Sequence, residues 1–248
     1  KDINETTGSL SMEYLISAED GDGYQELYYV EEFYRLRYTE ERVRLLDFER
    51  SATQIFSGTH IQLTSDGLYL GVTGKEVPYQ SDKTGEVVAF VQQGELWAYQ
   101  IEANKVDRVF SFRRGISESD FRDSRSDHDI KILNVTEEGN IDFVVYGYMN
   151  RGEHEGCMGI SVCHYSSDQN MVTEKAFIPS TESYDFLKND VKELCYLSSK
   201  DQLFVMAGGN LCQVDLEQNS YQVIKEDVQS DCFASSESGA HAAWMDEM

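Results

Sequence analysis

Two polar segments of this sequence combine residue types that can bind ligands or metal ions. The first is a glycine-rich bend, YGYMNRGEHEGCMG (146–159), which brings together within five residues Arg151, Glu153, His154 and Glu155. On an exposed loop, Arg151 could bind a ligand carboxylate, and His154 with Glu155 could bind a metal ion. Their spacing matches neither an HExxH helix nor an EF-hand, so we predict no metal site. The alternative is a solvated loop with internal Arg–Glu pairs.

The second polar segment, RRGISESDFRDSRSDHDI (113–130), carries many charges of both signs. We expect it to connect two structural units and to line a ligand pocket or a partner surface, with Arg113, Arg114 and His128 as candidate binding residues. The alternative is a flexible connector that neutralises its own charges. The two aspartates that flank His128 favour an imidazolium with a raised pKa.

A third segment, AEDGDGYQELYYVE (18–31), weakly resembles a calcium loop. Asp20, Asp22 and Glu31 fall at the first, third and twelfth positions, but Gln25 stands where the sharp turn of an EF-hand needs glycine. The LYYV run that follows indicates a strand. A β-hairpin turn is therefore the preferred interpretation.

Motifs of nucleophilic catalysis are absent from the sequence, which has no GxSxG elbow, no Cys–His signature and no P-loop. We therefore predict no catalytic residue and no cofactor for this chain. The five cysteines form no CxxC pair. Three of them, Cys163, Cys195 and Cys212, stand in strand-like runs, which favours small buried side chains over a metal site or a disulfide framework.

Composition excludes several classes of function. The 248 residues include 45 acids and 21 bases, for a net charge of −24. Such a chain would repel nucleic acid and anionic lipid. Its 40% hydrophobic and 12% aromatic content provides a core and argues against a disordered acidic tail. Because no apolar run approaches the roughly 20 residues of a membrane helix, we expect no membrane contact by this segment itself.

The elements that position these segments are predicted to be strands almost throughout. Runs such as NIDFVVYGYM, GISVCHY and QLFVMAG are rich in Val, Tyr, Phe and Ile and are bounded by Gly, Asp, Asn and Ser. The segment 180–194 predicts a helix, since Tyr184, Leu187 and Val191 fall on one face. In the segment 39–51, apolar and basic residues alternate, which favours a strand over a helix.

An internal repeat indicates the architecture. The segment QGELWAYQIEANKVDRVFSF (93–112) aligns without gaps on GGNLCQVDLEQNSYQVIKED (208–227). The segment 159–178 follows the same plan, with one extra residue expected before Asn170, and 33–48 is a looser copy. Each later copy is accompanied by another pair of strands. Four antiparallel strands in a unit of roughly 40–60 residues are typical of a β-propeller blade.

The predicted fold class is therefore all-β and β-propeller-like, with four-stranded antiparallel blades in an incomplete propeller or a fragment of a longer chain. One propeller-like domain is predicted over 1–248. Its approximate blades are 10–56, 57–126, 127–180 and 190–228, with a partial blade at 229–248. A β-sandwich and two small β-domains are the alternatives, and a sandwich gives no reason for the gapless internal alignment.

The segment SDKTGEVVAFVQQGELWAYQIEANKVDRVFSF (81–112) resembles the repeat of TolB-like propellers and of the propeller domain of dipeptidyl-peptidase-type enzymes. The segments TSDGLYLGV (64–72) and SSESGAHAAWM (235–245) fit the first half of that pattern. The proline of the usual Ser-Pro-Asp-Gly turn is missing here. The matching residues are structural, so the resemblance implies a fold and not an activity.

The predicted function is a non-catalytic ligand- or protein-binding module, a sensor or scaffold within a larger bacterial protein of the cell envelope. Its expected location is extracytoplasmic, with the cytoplasm as the alternative, and its expected partner is a protein, peptide or glycan. The alternative function is the propeller gate of a serine hydrolase or peptidase whose catalytic domain lies outside this chain. A downstream GxSxG region would favour the hydrolase, and an upstream membrane helix would favour the sensor.

Overall fold

The computed structural model shows an all-β chain in which four sheets of four strands follow one another along the sequence. We call them the first to fourth sheets. The structure describes residues 2–19, 21, 23, 25–58, 63–65, 67–70, 77–114, 120–198, 202–226, 228, 233–235 and 242–244.

The first two sheets and a short ladder between them occupy residues 2–110. The first sheet consists of β1 (Asp2–Ile3), β2 (Thr7–Glu19), β3 (Gln25–Tyr38) and β4 (Val43–Gln54). The short ladder pairs β5 (Leu63–Thr64) with β6 (Gly67–Leu68). The second sheet consists of β7 (Tyr79–Ser81), β8 (Val87–Gln92), β9 (Glu95–Gln100) and β10 (Lys105–Phe110).

The later sheets are separated by a helix. The third sheet consists of β11 (His128–Val135), β12 (Ile141–Tyr148), β13 (Met158–Ser166) and β14 (Met171–Pro179). Helix α1 (Tyr184–Glu193) follows it. The fourth sheet consists of β15 (Cys195–Leu197), β16 (Gln202–Ala207), β17 (Asn210–Asp215) and β18 (Ser220–Lys225), and β19 (Phe233–Ser235) then pairs with β20 (Ala242–Trp244).

In each four-stranded sheet, every strand pairs antiparallel with its neighbour in sequence. This arrangement confirms the predicted all-β class of four-stranded, propeller-like sheets. The helix predicted within 180–194 and the strand predicted within 39–51 are confirmed as α1 and β4. The first sheet begins at Asp2, ahead of residue 10, and the division into blades stays a prediction. Among the described residues, no helix is long and apolar enough to cross a membrane.

The β2–β3 ladder extends to the pair Glu19–Gln25, which confirms a hairpin at the weak calcium-loop match. Asp20, Asp22 and Tyr24 themselves lie outside the described residues. Cys163, Cys195 and Cys212 are buried in strands, as their positions predicted, and each is a free thiol. Cys232 lies outside the described residues.

The sequence repeat is visible in the backbone of three hairpins. Asn104, Asn170 and Asn219 occupy equivalent turn positions and have φ angles of 46°, 48° and 52°. Asparagine is among the few L-residues that adopt this left-handed conformation at low cost, because its short polar side chain hydrogen-bonds locally. In two of the hairpins this side chain also accepts a hydrogen bond from a tyrosine, over 2.8 Å from Tyr99 and 3.0 Å from Tyr165.

The same hairpins share a β-bulge at one ladder position. Each ladder steps over one residue of its last strand, namely Val109 in β10, Lys175 in β14 and Ile224 in β18. The copies at 93–112 and 159–178 match without insertion, so the extra residue predicted before Asn170 is wrong. The β3–β4 ladder makes a comparable step at Leu46.

The hydrophobic core lies between neighbouring sheets. Alternation along β12 sends Phe143 towards the second sheet, where it joins a buried cluster with Leu96, and sends Val144 the opposite way. On that opposite side α1 contributes Leu187, and the fourth sheet contributes Val205. The third sheet is therefore covered on both faces, as stacked blades require.

The first sheet differs, because none of its described residues belongs to the buried apolar clusters. Every residue of β4 is exposed. The buried carboxylate of Glu32 accepts hydrogen bonds from Tyr14 (2.8 Å), Tyr34 (2.6 Å) and Arg50 (2.5 Å). Polar contacts thus replace much of the apolar packing in this sheet.

Candidate functional site: a cleft between the first and second sheets

A cavity of about 740 Å³ lies where the first sheet meets the second sheet and the connector between β10 and β11. We call it the polar cleft. Tyr29 and Gln54 line it from the first sheet, Gln93 from the β8–β9 turn, and Arg113 and His128 from the connector and the start of β11. Its volume lies within the range of about 300–1,000 Å³ that is typical of ligand pockets.

The β8–β9 turn forms one wall of the polar cleft. Gln93 and Gly94, its two central residues, have φ angles of 53° and 73°. The Gln93 Nε2 donates a hydrogen bond to the Gln54 carbonyl over 2.9 Å, which links the second sheet to the first. The Gln93 Oε1 is buried and has no partner.

His128 lies against this turn. A Cβ on Gly94 would come within 2.8 Å of the His128 Nε2, so glycine is needed there to let the imidazole approach. Burial, reinforced by the Arg113 charge, lowers the pKa of His128 to about 4. The predicted imidazolium with a raised pKa is therefore wrong, because desolvation outweighs the attraction of the flanking aspartates. The ring is neutral near pH 7, and its Nδ1 is buried without a partner.

Arg113 also lines the cleft, but its guanidinium is already engaged. It donates to the Gln93 carbonyl over 2.7 Å and to the Glu95 carboxylate over 3.2 Å. Arg114, the next residue, is exposed and is not part of the cleft wall. Of the two neighbouring arginines that were predicted to bind a ligand, Arg113 therefore lines the cleft and Arg114 does not.

Arg151 was predicted to lie on an exposed loop, and this placement is wrong. Only 9% of its side chain is exposed. Its Nε donates to the Phe112 carbonyl over 2.7 Å, and its Nη2 donates to Asp120 over 2.9 Å and to Asp123 over 2.7 Å. These bonds fix the 3-10 turn Phe121–Ser124 to the bend that follows β12. Arg151 therefore holds Asp123, a residue of the cleft wall, without lining the cleft itself.

The other predicted residues of the bend do not line the cleft. His154 stacks on Phe177 at a centroid distance of 3.8 Å and contacts Glu174 over 2.8 Å. Glu155 accepts a hydrogen bond from Arg122 over 3.0 Å, and Glu153 is exposed. In the part of the chain that the structure describes, no three metal-binding side chains come together. A binding role for these residues stays a prediction.

Among the residues of the cleft wall that sequence reasoning missed are Gln93 and Asn150. Asn150 is buried, and its Nδ2 donates to the carbonyls of Arg122 (2.9 Å) and Arg125 (3.0 Å). A signal for Gln93 was present in the repeat, since the equivalent residue of the last copy is Gly208. A left-handed residue other than glycine stores strain, and such strain is found preferentially at functional sites.

Four residues of the cleft wall carry buried polar atoms without a hydrogen-bond partner: Gln93 Oε1, Asp123 Oδ2, His128 Nδ1 and Asn150 Oδ1. The amide nitrogens of Gln93 and Asn150 already donate to carbonyls, so their free oxygens are fixed as acceptors. Asp123 also presents an acceptor, since its carboxylate is paired with Arg151. Leaving such a group unsatisfied costs about 1–3 kcal/mol, and folded proteins contain few of them. The cleft wall therefore concentrates unused acceptors.

A second cavity of about 210 Å³ adjoins the polar cleft and shares Glu95, Arg113 and Asp123 with it. We call it the apolar pocket, because its remaining walls are mainly hydrophobic side chains, namely Leu15, Leu27, Ile55, Phe56 and Trp97. Trp97 is buried, and its Nε1 donor has no partner. A polar cavity and an apolar cavity thus lie next to each other.

Comparison with known proteins gives no family assignment. No family model matches the chain, and no curated protein matches it. Among solved structures, tricorn protease matches 94% of this chain and 23% of its own length, at 10% identity and a TM-score of 0.35. The extracellular domain of a one-component system from B. thetaiotaomicron matches 86% of this chain and 33% of its own length, at 11% identity and a TM-score of 0.25.

Porphyromonas gingivalis dipeptidyl peptidase 4 also matches 86% of this chain and 40% of its own length, at 7% identity and a TM-score of 0.28. The chain spans less than half the length of each of these three proteins. At such low identities, no activity is transferred from them.

Proposed function

We propose that this chain is a non-catalytic recognition module whose ligand binds in the polar cleft. The observation that carries the proposal is the clustering of four unpaired buried polar atoms, three of them acceptors, around one cavity of ligand size. Polar groups of this kind are normally satisfied by protein, water or ligand. A ligand that reaches them after small side-chain adjustments recovers the free energy that their isolation costs.

Charge in the cleft limits the kind of ligand. The basic side chains of the wall already lie near acids: Arg113 at 3.2 Å from Glu95, and Lys188 at 3.6 Å from Asp129. Arg125 pairs with Asp127 over 2.9 Å. With these cations compensated and a net charge of −24 on the chain, an anionic ligand gains little. The proposed ligand is an uncharged or cationic hydrogen-bond donor belonging to a protein, a peptide or a glycan.

The serine hydroxyls of the cleft wall are bound elsewhere than to His128: Ser111 donates to Glu95, Ser124 to the Phe121 carbonyl and Ser126 to Glu13. The wall therefore pairs none of its serines with His128 in the way that a nucleophile pairs with a general base, which favours a binding role. We further propose that the module serves as a sensor or scaffold of a larger bacterial cell-envelope protein and works outside the cytoplasm.

The proposal is tested by mapping small neutral probes on the ¹⁵N-labelled protein by NMR. N-methylacetamide and glycerol are titrated separately at millimolar concentrations. We expect the largest amide shifts at Gly94, Phe112, His128 and Asn150. Shifts that are spread over the surface, or that cluster away from the polar cleft, would overturn the proposal.

A further inference from the structure

We infer that the ligand is an uncharged peptide segment whose main chain lies in the polar cleft and whose apolar side chain fills the apolar pocket. This inference rests on the proposed function and adds the chemical class of the ligand. Its basis is the adjacency of two cavities of opposite polarity, which share Glu95, Arg113 and Asp123.

The apolar pocket selects for a hydrophobic group. Leu15 and Leu27 line it from the first sheet, Ile55 and Phe56 from the segment after β4, and Trp97 from β9. Its volume of about 210 Å³ suits one aliphatic or aromatic side chain. Burial of such a side chain is favourable in proportion to the apolar area removed from water.

The polar cleft is complementary to a peptide main chain. Peptide N–H groups are donors that match the acceptors on Gln93 and Asn150. A glycan also donates through its hydroxyls, but it offers no hydrophobic side chain of the size that the apolar pocket holds. These two features together favour a peptide.

The test uses capped peptides of the form acetyl-Gly-Xaa-Gly-amide, in which Xaa is Leu, Phe, Gly or Glu. These probes carry no terminal charge, so that binding does not depend on an amino terminus. We expect the Leu and Phe peptides to bind about tenfold or more tightly than the Gly peptide, by calorimetry or NMR titration. The Glu peptide should bind most weakly, because its carboxylate would lose its hydration in a pocket whose two arginines, Arg108 and Arg113, already lie within 3.8 Å and 3.2 Å of Glu95.

Two substitutions at neighbouring positions of β2 distinguish the effect of filling the apolar pocket from the effect of adding a large side chain elsewhere on the strand. Leu15→Trp places a large ring in the apolar pocket and should abolish the preference for Leu and Phe over Gly. Ile16→Trp is the matched control, because Ile16 is 43% exposed and lines neither cavity. It should keep the preference of the unmodified protein.

The outcomes distinguish the ligand class from the site itself. If N-methylacetamide maps to the cleft but the four peptides bind equally, the peptide inference is wrong and the proposed function stands. Binding of maltotriose in the cleft without binding of the Leu or Phe peptide would assign the site to glycans and overturn the inference. A preference for Leu and Phe that survives Leu15→Trp would also contradict it.

Discussion

The first and third sheets have the same number of strands but are stabilised in different ways. Apolar clusters cover both faces of the third sheet, which runs from 128 to 179. The first sheet has longer strands, yet none of its described residues joins such a cluster, and its buried carboxylate is held by hydroxyls and a guanidinium. Strand length therefore says little about stability, because face-to-face burial contributes most of the favourable free energy.

The largest expected effect comes from removing a core side chain of the third sheet. Phe143 is fully buried in β12, so Phe143→Ala should lower the free energy of unfolding by about 3–5 kcal/mol. Phe48→Ala in β4 is the matched change in the first sheet, where the ring is 40% exposed, and should cost about 1 kcal/mol or less. Guanidinium denaturation monitored by circular dichroism gives both values. Equal losses would remove the distinction between the two sheets.

The next largest effect comes from removing the partner of a buried carboxylate. Arg151→Ala leaves Asp123, with 1% of its side chain exposed, without a cation and should cost about 3 kcal/mol. Arg50→Ala in the first sheet should cost less, because Glu32 keeps the hydroxyls of Tyr14 and Tyr34. Urea denaturation compares the two variants.

A second substitution tests the cause of the Arg151 effect. Asp123→Asn added to Arg151→Ala removes the isolated charge, so part of the lost stability should return. If the double variant is no more stable than Arg151→Ala, the loss arises from the bonds to Phe112 and Asp120. Arg114→Ala, at the exposed neighbour of Arg113, provides the surface control and should change stability little.

Acidification is expected to reduce the stability contributed by His128, at the start of the third sheet, and by Glu32, in the first sheet, over different pH ranges. The folded-state pKa of His128 is about 4 and the ordinary value is 6.5, so the unfolded chain binds the proton first. Stability from this group is complete above pH 6.5 and is lost as the pH falls towards 4, by up to about 3 kcal/mol. The hydroxyls of Tyr34 and Tyr14 hold the pKa of Glu32 below its ordinary value of 4.5. The stability that this carboxylate contributes is therefore lost only at lower pH.

The measurement is the free energy of unfolding of the native protein and of His128→Phe between pH 7 and pH 4. The decline over this interval should be smaller in the variant, since phenylalanine does not titrate. His164→Phe, which replaces a half-buried histidine on β13, is the control. Parallel curves for the native protein and His128→Phe would show that His128 is not the titrating group.

The smallest expected effect concerns the repeated turn. Asn219 is exposed, and its φ of 52° disfavours residues with a Cβ other than asparagine and aspartate. Asn219→Ala should therefore cost about 1 kcal/mol, and Asn219→Gly should be nearly neutral. In the first sheet, the turn between β3 and β4 contains no left-handed residue, so Glu41→Ala should have almost no effect. Thermal melts of the three variants check this order.

Much of the fold could be predicted because it depends on local pattern. Alternating apolar residues predicted the strands. The recurrence of Asn104 and Asn219 at equivalent turns predicted hairpins with the same turn geometry. The face formed by Leu187 and Val191 predicted α1 and its buried side. These features are encoded within one or two strands of sequence, which a single chain shows directly.

The candidate site was only partly predictable because it depends on how distant segments meet. Arg113 and His128 were identified from the long polar connector, and both line the cleft. Arg151 was misplaced, since its burial depends on the connector folding back over it. The contribution of Gln54 could not be predicted, because nothing in β4 indicates that its end meets the β8–β9 turn.

The bulge shared by the ladders has a geometric consequence. A β-bulge increases the local right-handed twist of the strand pair that contains it. The second, third and fourth sheets carry the bulge at the same ladder position. We therefore expect their surfaces to have a similar twist, and surfaces of similar twist can pack against one another without gaps. The first sheet makes its step at Leu46, one ladder pair closer to the turn, so extra twist is expected in a strand that is exposed along its whole length.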